Sequence, residues 1–253
     1  MRSRERVMRS RGLVIVAVEL VAFVGLWQLA VAQFHLVNRI FFPAPSDILT
    51  SLLSGGELVA QLGTSATSWA AGFGAGALAG VATGMLAGTL PWANRLIMPI
   101  LWSLWATPLI ALQPTLTAWL DYGSGPIVVL VFLSTMIPVA LNTATGAALV
   151  PQSLLRAGHV YGGNVYLRIR VPWSVPYMIG GLRLAVPTSL IGLLVGEMVG
   201  APSGLGSVIV NATSRFRTGE AFAAIGVYVV ISVVLVRLLD VAERRVGRWR
   251  TGD

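Results

Sequence analysis

Cysteine is absent from this chain of 253 residues, and so is lysine. Without a thiol there is neither a disulfide nor a thiolate metal site, and the redox compartment leaves no mark on the sequence. Histidine occurs twice, at His35 and His159, too widely separated to suggest a zinc site, so no metal is expected. The missing lysine excludes a phosphate-binding loop of the GxxxxGK[ST] kind, which needs that side chain on the nucleotide phosphates. No cofactor is therefore expected on this chain. Charge is scarce as well: 11% of residues are charged, 55% are hydrophobic, and the mean hydropathy is +0.78. A soluble domain carries about a quarter charged residues, so this composition belongs in a lipid bilayer.

The charge that is present is basic, with 18 arginines against 10 acidic residues and a net charge of +8. These arginines cluster at the ends of apolar segments, where a membrane protein needs them, which argues against nucleic acid as a partner. Richness in Ala, Gly, Val and Arg fits a GC-rich bacterial genome. A helix needs roughly 20 apolar residues to cross the hydrocarbon core. Six segments meet that length, at about 12–33, 66–90, 97–119, 125–149, 176–200 and 219–242. The expected fold is thus an all-α polytopic membrane protein.

Arginine placement orients the spans. An inside N-terminus leaves Arg2, Arg4, Arg6, Arg9, Arg11, Arg95, Arg156, Arg168, Arg170, Arg244, Arg245, Arg248 and Arg250 cytoplasmic, with only Arg39, Arg215 and Arg217 outside. Arg183 and Arg237 lie within spans, towards their cytoplasmic ends. Both termini are expected in the cytoplasm: a basic segment 1–11 before the first span, 12–33, and a basic tail 243–253 after a five-helix core, 66–242. The arginine-rich start, the apolar run from Leu13 and the Ala30-Val31-Ala32 triplet also resemble a cleavable signal peptide. The run has no polar break before that triplet, so it is read as a retained helix.

Between the first two spans, segment 34–65 includes "FFPAPSDILTSLLSGG". Pro43 and Pro45 stiffen its approach, Ser46 or Asp47 is expected to cap a short helix, and Ile48, Leu49, Leu52 and Leu53 give that helix an apolar face at the outer surface. The second span carries Gly72, Gly76, Gly80, Gly84 and Gly88, one every fourth residue, a helix-packing stripe. Each step overshoots a full turn by about 40°, so the stripe is expected to wind round the helix and serve more than one neighbour.

Prolines interrupt the third span (Pro108, Pro114), the fourth (Pro138) and the fifth (Pro187), and broken helices line pathways in transporters. Pro108, Pro138 and Asn142 are pathway candidates, together with two ionisable residues at depth, Arg183 and Glu197. Glu19, about two turns into the first span, is a third such residue. No Ser, His and Asp set falls at one depth and no carboxylates cluster, so no catalytic residues are assigned and the chain is read as non-enzymatic.

The longest internal loop, 150–173, contains "LLRAGHVYGGNVYLRIRVPW". Pro151 starts a helix with Leu154, Leu155 and Val160 interleaved with Arg156 and His159; Gly162 and Gly163 stop it; a second segment, "NVYLRIRV", follows until Pro172 is expected to break it. Such a knob has apolar faces that need a partner.

At this loop the chain resembles permease subunits of ATP-binding cassette (ABC) importers. Their signature is Glu-Ala-Ala, three residues, Gly, nine residues, then Ile-x-Leu-Pro. Here Arg156-Ala157-Gly158, His159 to Tyr161, Gly162, and Ile169-Arg170-Val171-Pro172 take those places, with arginine for the acid and a spacer of six residues. "FFPAPSDIL", "ALQPTLTAWLDYGSG", "FLSTMIPVALNTATG" and "GGLRLAVPTSLIGLLVGEMVGAPSGLGSVI" are similar to the branch that imports sulfonates, taurine, nitrate and bicarbonate. The resemblance covers about residues 40 to 245. It implies a type I importer fold in the bacterial cytoplasmic membrane, in which Arg156, Ala157, Gly158, His159, Gly162, Gly163, Ile169 and Pro172 contact a separate cytoplasmic ATPase. That ATPase would hold the ATP and Mg. It implies as further partners a second permease copy or paralogue and an extracytoplasmic solute-binding protein, in contact with membrane lipid, and a small anion as solute. The competing reading is an ion-coupled transporter or channel using Glu19, Glu197 and Arg183; it predicts inverted repeats, and none is visible.

Overall fold

A computed structural model describes residues 15, 18–34, 36–54 and 56–251. The basic segment 1–11, the opening of the first expected span and His35 lie outside the described residues, as do the side chains of Arg244, Arg245, Arg248 and Arg250. The described residues are helical and contain no strand. In order they form α1 (Val18–Gln33), α2 (Pro45–Leu53), α3 (Gly56–Thr89), α4 (Pro91–Ala106), a 3₁₀ turn (Leu109–Leu112), α5 (Gln113–Leu120), α6 (Ser124–Ala148), α7 (Gln152–Val160), a π turn (Tyr166–Arg170), α8 (Val171–Gly200), α9 (Leu205–Ser214) and α10 (Thr218–Thr251).

Four helical stretches are long and apolar enough to cross a membrane: Leu58–Thr89, Ser124–Ala148, Tyr166–Gly200 and Thr218–Glu243. A fifth is the pair Pro91–Ala106 and Leu109–Leu120 if its halves count as one span; Val18–Gln33 is a shorter apolar helix. The third expected span is thus broken, with an 87° bend between its halves. The cause is local. Thr107, ahead of Pro108, is extended (φ −84°, ψ 134°) because the proline ring disfavours a helical predecessor. Pro114 does not interrupt anything: it sits in the first turn of α5, where no N–H is required. α3 starts at Gly56, well before the expected 66, and the fifth span begins at Tyr166 rather than 176.

The chain divides into two compact units, one of residues up to Leu58 with Val208–Gly226, the other of Val59–Ser207 with Val227 onwards. In the first, Gln28 of α1 clamps Ser46, donating to its hydroxyl (3.1 Å) and accepting from its backbone N–H (3.1 Å). The N-cap of α2 is Ala44, not Ser46 or Asp47; Asp47 instead reaches back from the first turn to accept from the Ala44 N–H (3.1 Å) and pairs with Arg39 (2.9 Å). Phe42 packs against both Trp27 and Phe222.

In the second unit α6 is the axis, with α4, α5 and α8 packed against it. In its apolar window 67% of residues are buried, against 17% for α10, whose exposed Val229, Val230, Val233 and Val234 suit a lipid-facing helix. All five glycines of the α3 stripe face α6, a correction to the expectation of several neighbours. A methyl group at Gly72, Gly76, Gly80, Gly84 or Gly88 would meet the carbonyl oxygens of Val128, Phe132, Met136, Ala140 and Ala144 in turn, at 2.5 to 2.7 Å. The contacts on α6 also advance by four residues, so the drift on one helix is matched by the drift on the other. Two parallel helices with this repeat, longer than 3.6 residues, wrap right-handedly and stay in register.

Pro138 lies in the interior of α6 without ending it. Its missing N–H leaves the Ser134 carbonyl free, and the Thr188 hydroxyl of α8 donates to that oxygen (3.1 Å). The Asn142 amide donates to the Pro138 carbonyl (2.8 Å).

Candidate functional site

The loop 150–173 folds as the expected knob up to its last step. Pro151 is extended (φ −57°, ψ 134°) and its carbonyl accepts from Leu154 and Leu155, opening α7. Leu155 is buried and turns α7 inwards. At the other end Tyr161 donates to Ala157, Gly163 donates to Gly158, and Gly162 takes a left-handed φ of 67°, a conformation that costs glycine nothing. His159 Nδ1 lies 2.7 Å from the Leu155 carbonyl, so that nitrogen carries a proton. The Asn164 side chain then accepts from the Leu167 N–H (3.1 Å) and starts the second segment.

Gly158 is where the two segments cross: a methyl group there would run into the end of the Ile169 side chain and lie 3.1 Å from Val165. Arg156, Ala157, Gly158, His159, Gly162, Gly163 and Ile169 therefore share one small body. Pro172 does not break the second segment, contrary to expectation. The chain runs through the π turn into α8, with Val171 N–H bonded to the Tyr166 carbonyl, and the wider turn makes room for the proline ring.

The outer surface of the knob is bare. Val160 is 83% exposed and Tyr161 88%, and Leu167 is also exposed. Arg156 and Arg168 project into solvent, and no ion pair involves Arg156, Arg168 or Arg170 among the described residues. A recess of about 600 Å³ beside the knob is lined by Leu86 and Thr89 of α3, by Leu90 ahead of α4 and by His159, Val165, Tyr166 and Arg170.

The pathway candidates do not converge. Arg183 pairs with Asp240 (3.0 Å) and Glu243 (3.6 Å) of α10. Glu197 lies 14 residues further along α8, about 21 Å away at helical rise. It is buried, and one carboxylate oxygen accepts from the Gly206 N–H (2.8 Å) and the Tyr228 hydroxyl (2.8 Å). The loop it anchors is held from α3 as well, by Gln61 on Gly204 N–H (2.6 Å) and Ser65 on Leu205 N–H (2.9 Å). Glu197 also walls a cavity of about 390 Å³, rich in hydroxyls from Thr64, Thr67, Ser68, Ser124 and Ser203. Pro108 sits exposed at the bend, beside a cavity of about 250 Å³ lined by Trp105, Thr107, Leu109, Ile110, Ser134, Thr188 and Ile191. Asn142 is engaged with the Pro138 carbonyl, and the Ser134 carbonyl that Pro138 frees is taken by Thr188 of α8. Glu19 is exposed on α1.

Sequence reasoning missed Gln61, Ser65, Tyr228 and the fully buried Gln113, whose amide nitrogen contacts the Gly196 carbonyl (3.4 Å) and whose oxygen has no partner among the described residues. Gln113 had a signal: it is the lone amide in an apolar run, directly before Pro114.

A family model described as "Binding-protein-dependent transport system inner membrane component" matches residues 76–248. A Bacillus subtilis permease protein named for aliphatic sulfonates transport, SsuC, is 28% identical over 253 residues, covering 98% of this chain and 90% of that protein. The taurine transport system permease protein TauC of Escherichia coli is 26% identical over 230 residues, 87% of this chain and 84% of that one. The riboflavin transport system permease protein RibX of Chloroflexus aurantiacus is 29% identical over 161 residues, 62% of this chain and 60% of that one.

Proposed function

Because this chain belongs to the inner-membrane components of binding-protein-dependent transport systems, as a permease subunit of an ABC importer, we propose that it forms the solute pathway and is driven through the knob at residues 150–173 by a separate cytoplasmic ATPase. The observation that carries this reading is the knob itself: a short helix closed by Gly162, with Val160 and Tyr161 exposed at its end, crossing at Gly158 a second segment that runs without a break into α8. A rigid joint transmits a push; a flexible loop would absorb it. The ATP and Mg belong to the partner, since a chain without lysine has no phosphate-binding loop of the usual kind. The chain is accordingly non-enzymatic, with both termini in the cytoplasm beside that partner.

The pathway is completed by a second permease copy or a paralogue, with an extracytoplasmic binding protein delivering solute. The stretch of α4 and α5 around Pro108 faces the pathway, a reading supported by the bend and the cavity beside it, because irregular backbone at membrane depth needs protein or water around it. The solute is a small anion such as a sulfonate, taurine, nitrate or bicarbonate, a reading supported by the names of SsuC and TauC. The ion-coupled alternative is not favoured: Arg183 near the middle of α8 and Glu197 near its C-terminal end are engaged by separate partners, which leaves no relay between them.

The test is purification of the complex from native membranes in mild detergent, with co-purifying subunits identified by mass spectrometry. An ATPase is expected, and its loss is expected when residues 156–163 are replaced by a Gly/Ser linker. An ATPase that stays bound to the linker variant contradicts the coupling role.

A further inference from the structure

The knob carries one sign of charge. From residue 122 to residue 196 there is no aspartate or glutamate, while Arg156, Arg168 and Arg170 and His159 lie within the knob. None of the three arginines has an ion-pair partner among the described residues. Arg168 and Arg170 lie in the π turn that opens an apolar span, where basic side chains are expected to meet the membrane surface. Arg156 is different: it stands in the middle of α7, one helical turn from Val160 on the same face. Any groove that covers Val160 and Tyr161 also strips water from the Arg156 guanidinium. A desolvated guanidinium without a counter-charge is strongly unfavourable, so that groove must supply one.

Building on the coupling role above, we propose that the ATPase groove receiving α7 is acidic and sets a carboxylate against Arg156. The importer signature that this loop resembles has glutamate at this place, so relative to that signature the charge of the contact is reversed here. The knob and its ATPase therefore form a matched pair that excludes ATPases built for an acidic knob, since like charges in the contact would repel.

The test uses the whole permease purified with its ATPase, and reads ATPase retention at low and high salt for the native chain, Arg156→Gln, Arg156→Glu, the linker variant and Arg95→Glu as a control on α4. Arg156→Glu is expected to weaken retention about thirtyfold or more, Arg156→Gln to fall between, and a carboxylate→Arg change in the groove to rescue Arg156→Glu. Arg95→Glu is expected to leave retention unchanged. Retention of Arg156→Glu equal to the native chain, with the linker variant still losing the ATPase, overturns the acidic groove while the coupling role stands. Retention by the linker variant overturns both. If Arg156→Glu sheds co-purified anionic lipid but keeps the ATPase, the counter-charge is a lipid headgroup and the proposal is wrong.

Discussion

Along the seam between α3 and α6 each of five glycines faces a carbonyl oxygen of a single neighbour, whereas Arg156 and Val160 of α7 and Tyr161 at its end are exposed. Both regions are rich in small residues, yet one is finished within the chain and the other is not. In lipid, helices gain nothing from burying apolar surface against each other, so the seam must rely on close backbone contact over its full length. The knob stands where water competes, and there exposed Val160 and Tyr161 have value only if something covers them.

Substitutions should separate the two regions by kind of effect. Gly80→Leu forces α3 from α6, because even a methyl group would lie 2.7 Å from the Met136 carbonyl and 2.8 Å from Val139; a loss above about 4 kcal/mol is expected, seen as failure to recover folded protein. Gly74→Ala, on a face with nothing within 4 Å, should be neutral or mildly stabilising, and a loss as large as that of Gly80→Leu would break the account of the seam. Glu197→Ala leaves the Tyr228 hydroxyl and the Gly206 N–H unpaired in the interior, and should cost about 3 kcal/mol in unfolding midpoints measured in detergent. Gly158→Ala presses on the flexible end of Ile169 and more lightly on Val165, and should cost about 1 kcal/mol. Tyr161→Ala should change stability by less than about 0.5 kcal/mol while abolishing transport, which is the signature of an interface waiting for its partner.

Four of the six expected spans, a fifth as a bent pair, the glycine stripe and the glycine-closed knob were legible in the sequence because each rests on a local rule: apolar length, a four-residue repeat, and the left-handed turn at Gly162. Proline was harder to read, since its effect depends on position. Pro108 bends the chain, Pro114 starts α5, Pro138 is absorbed by Thr188 from another helix, and Pro172 is accommodated by a π turn. The Glu197 anchor was not legible either, because its partners Ser65, Gly206 and Tyr228 come from separate stretches that only the fold brings together.

The coupling role of the knob has one direct measurement, made possible by the absence of cysteine. Tyr161→Cys introduces the single thiol of the chain, and its reaction with a membrane-impermeant maleimide can be followed in inside-out vesicles, with the ATPase bound and after it is stripped. Rapid labelling of stripped vesicles and protection once the ATPase is restored is the predicted result. Labelling that is equally fast with and without the ATPase, or that occurs only from the outer face, would contradict the account.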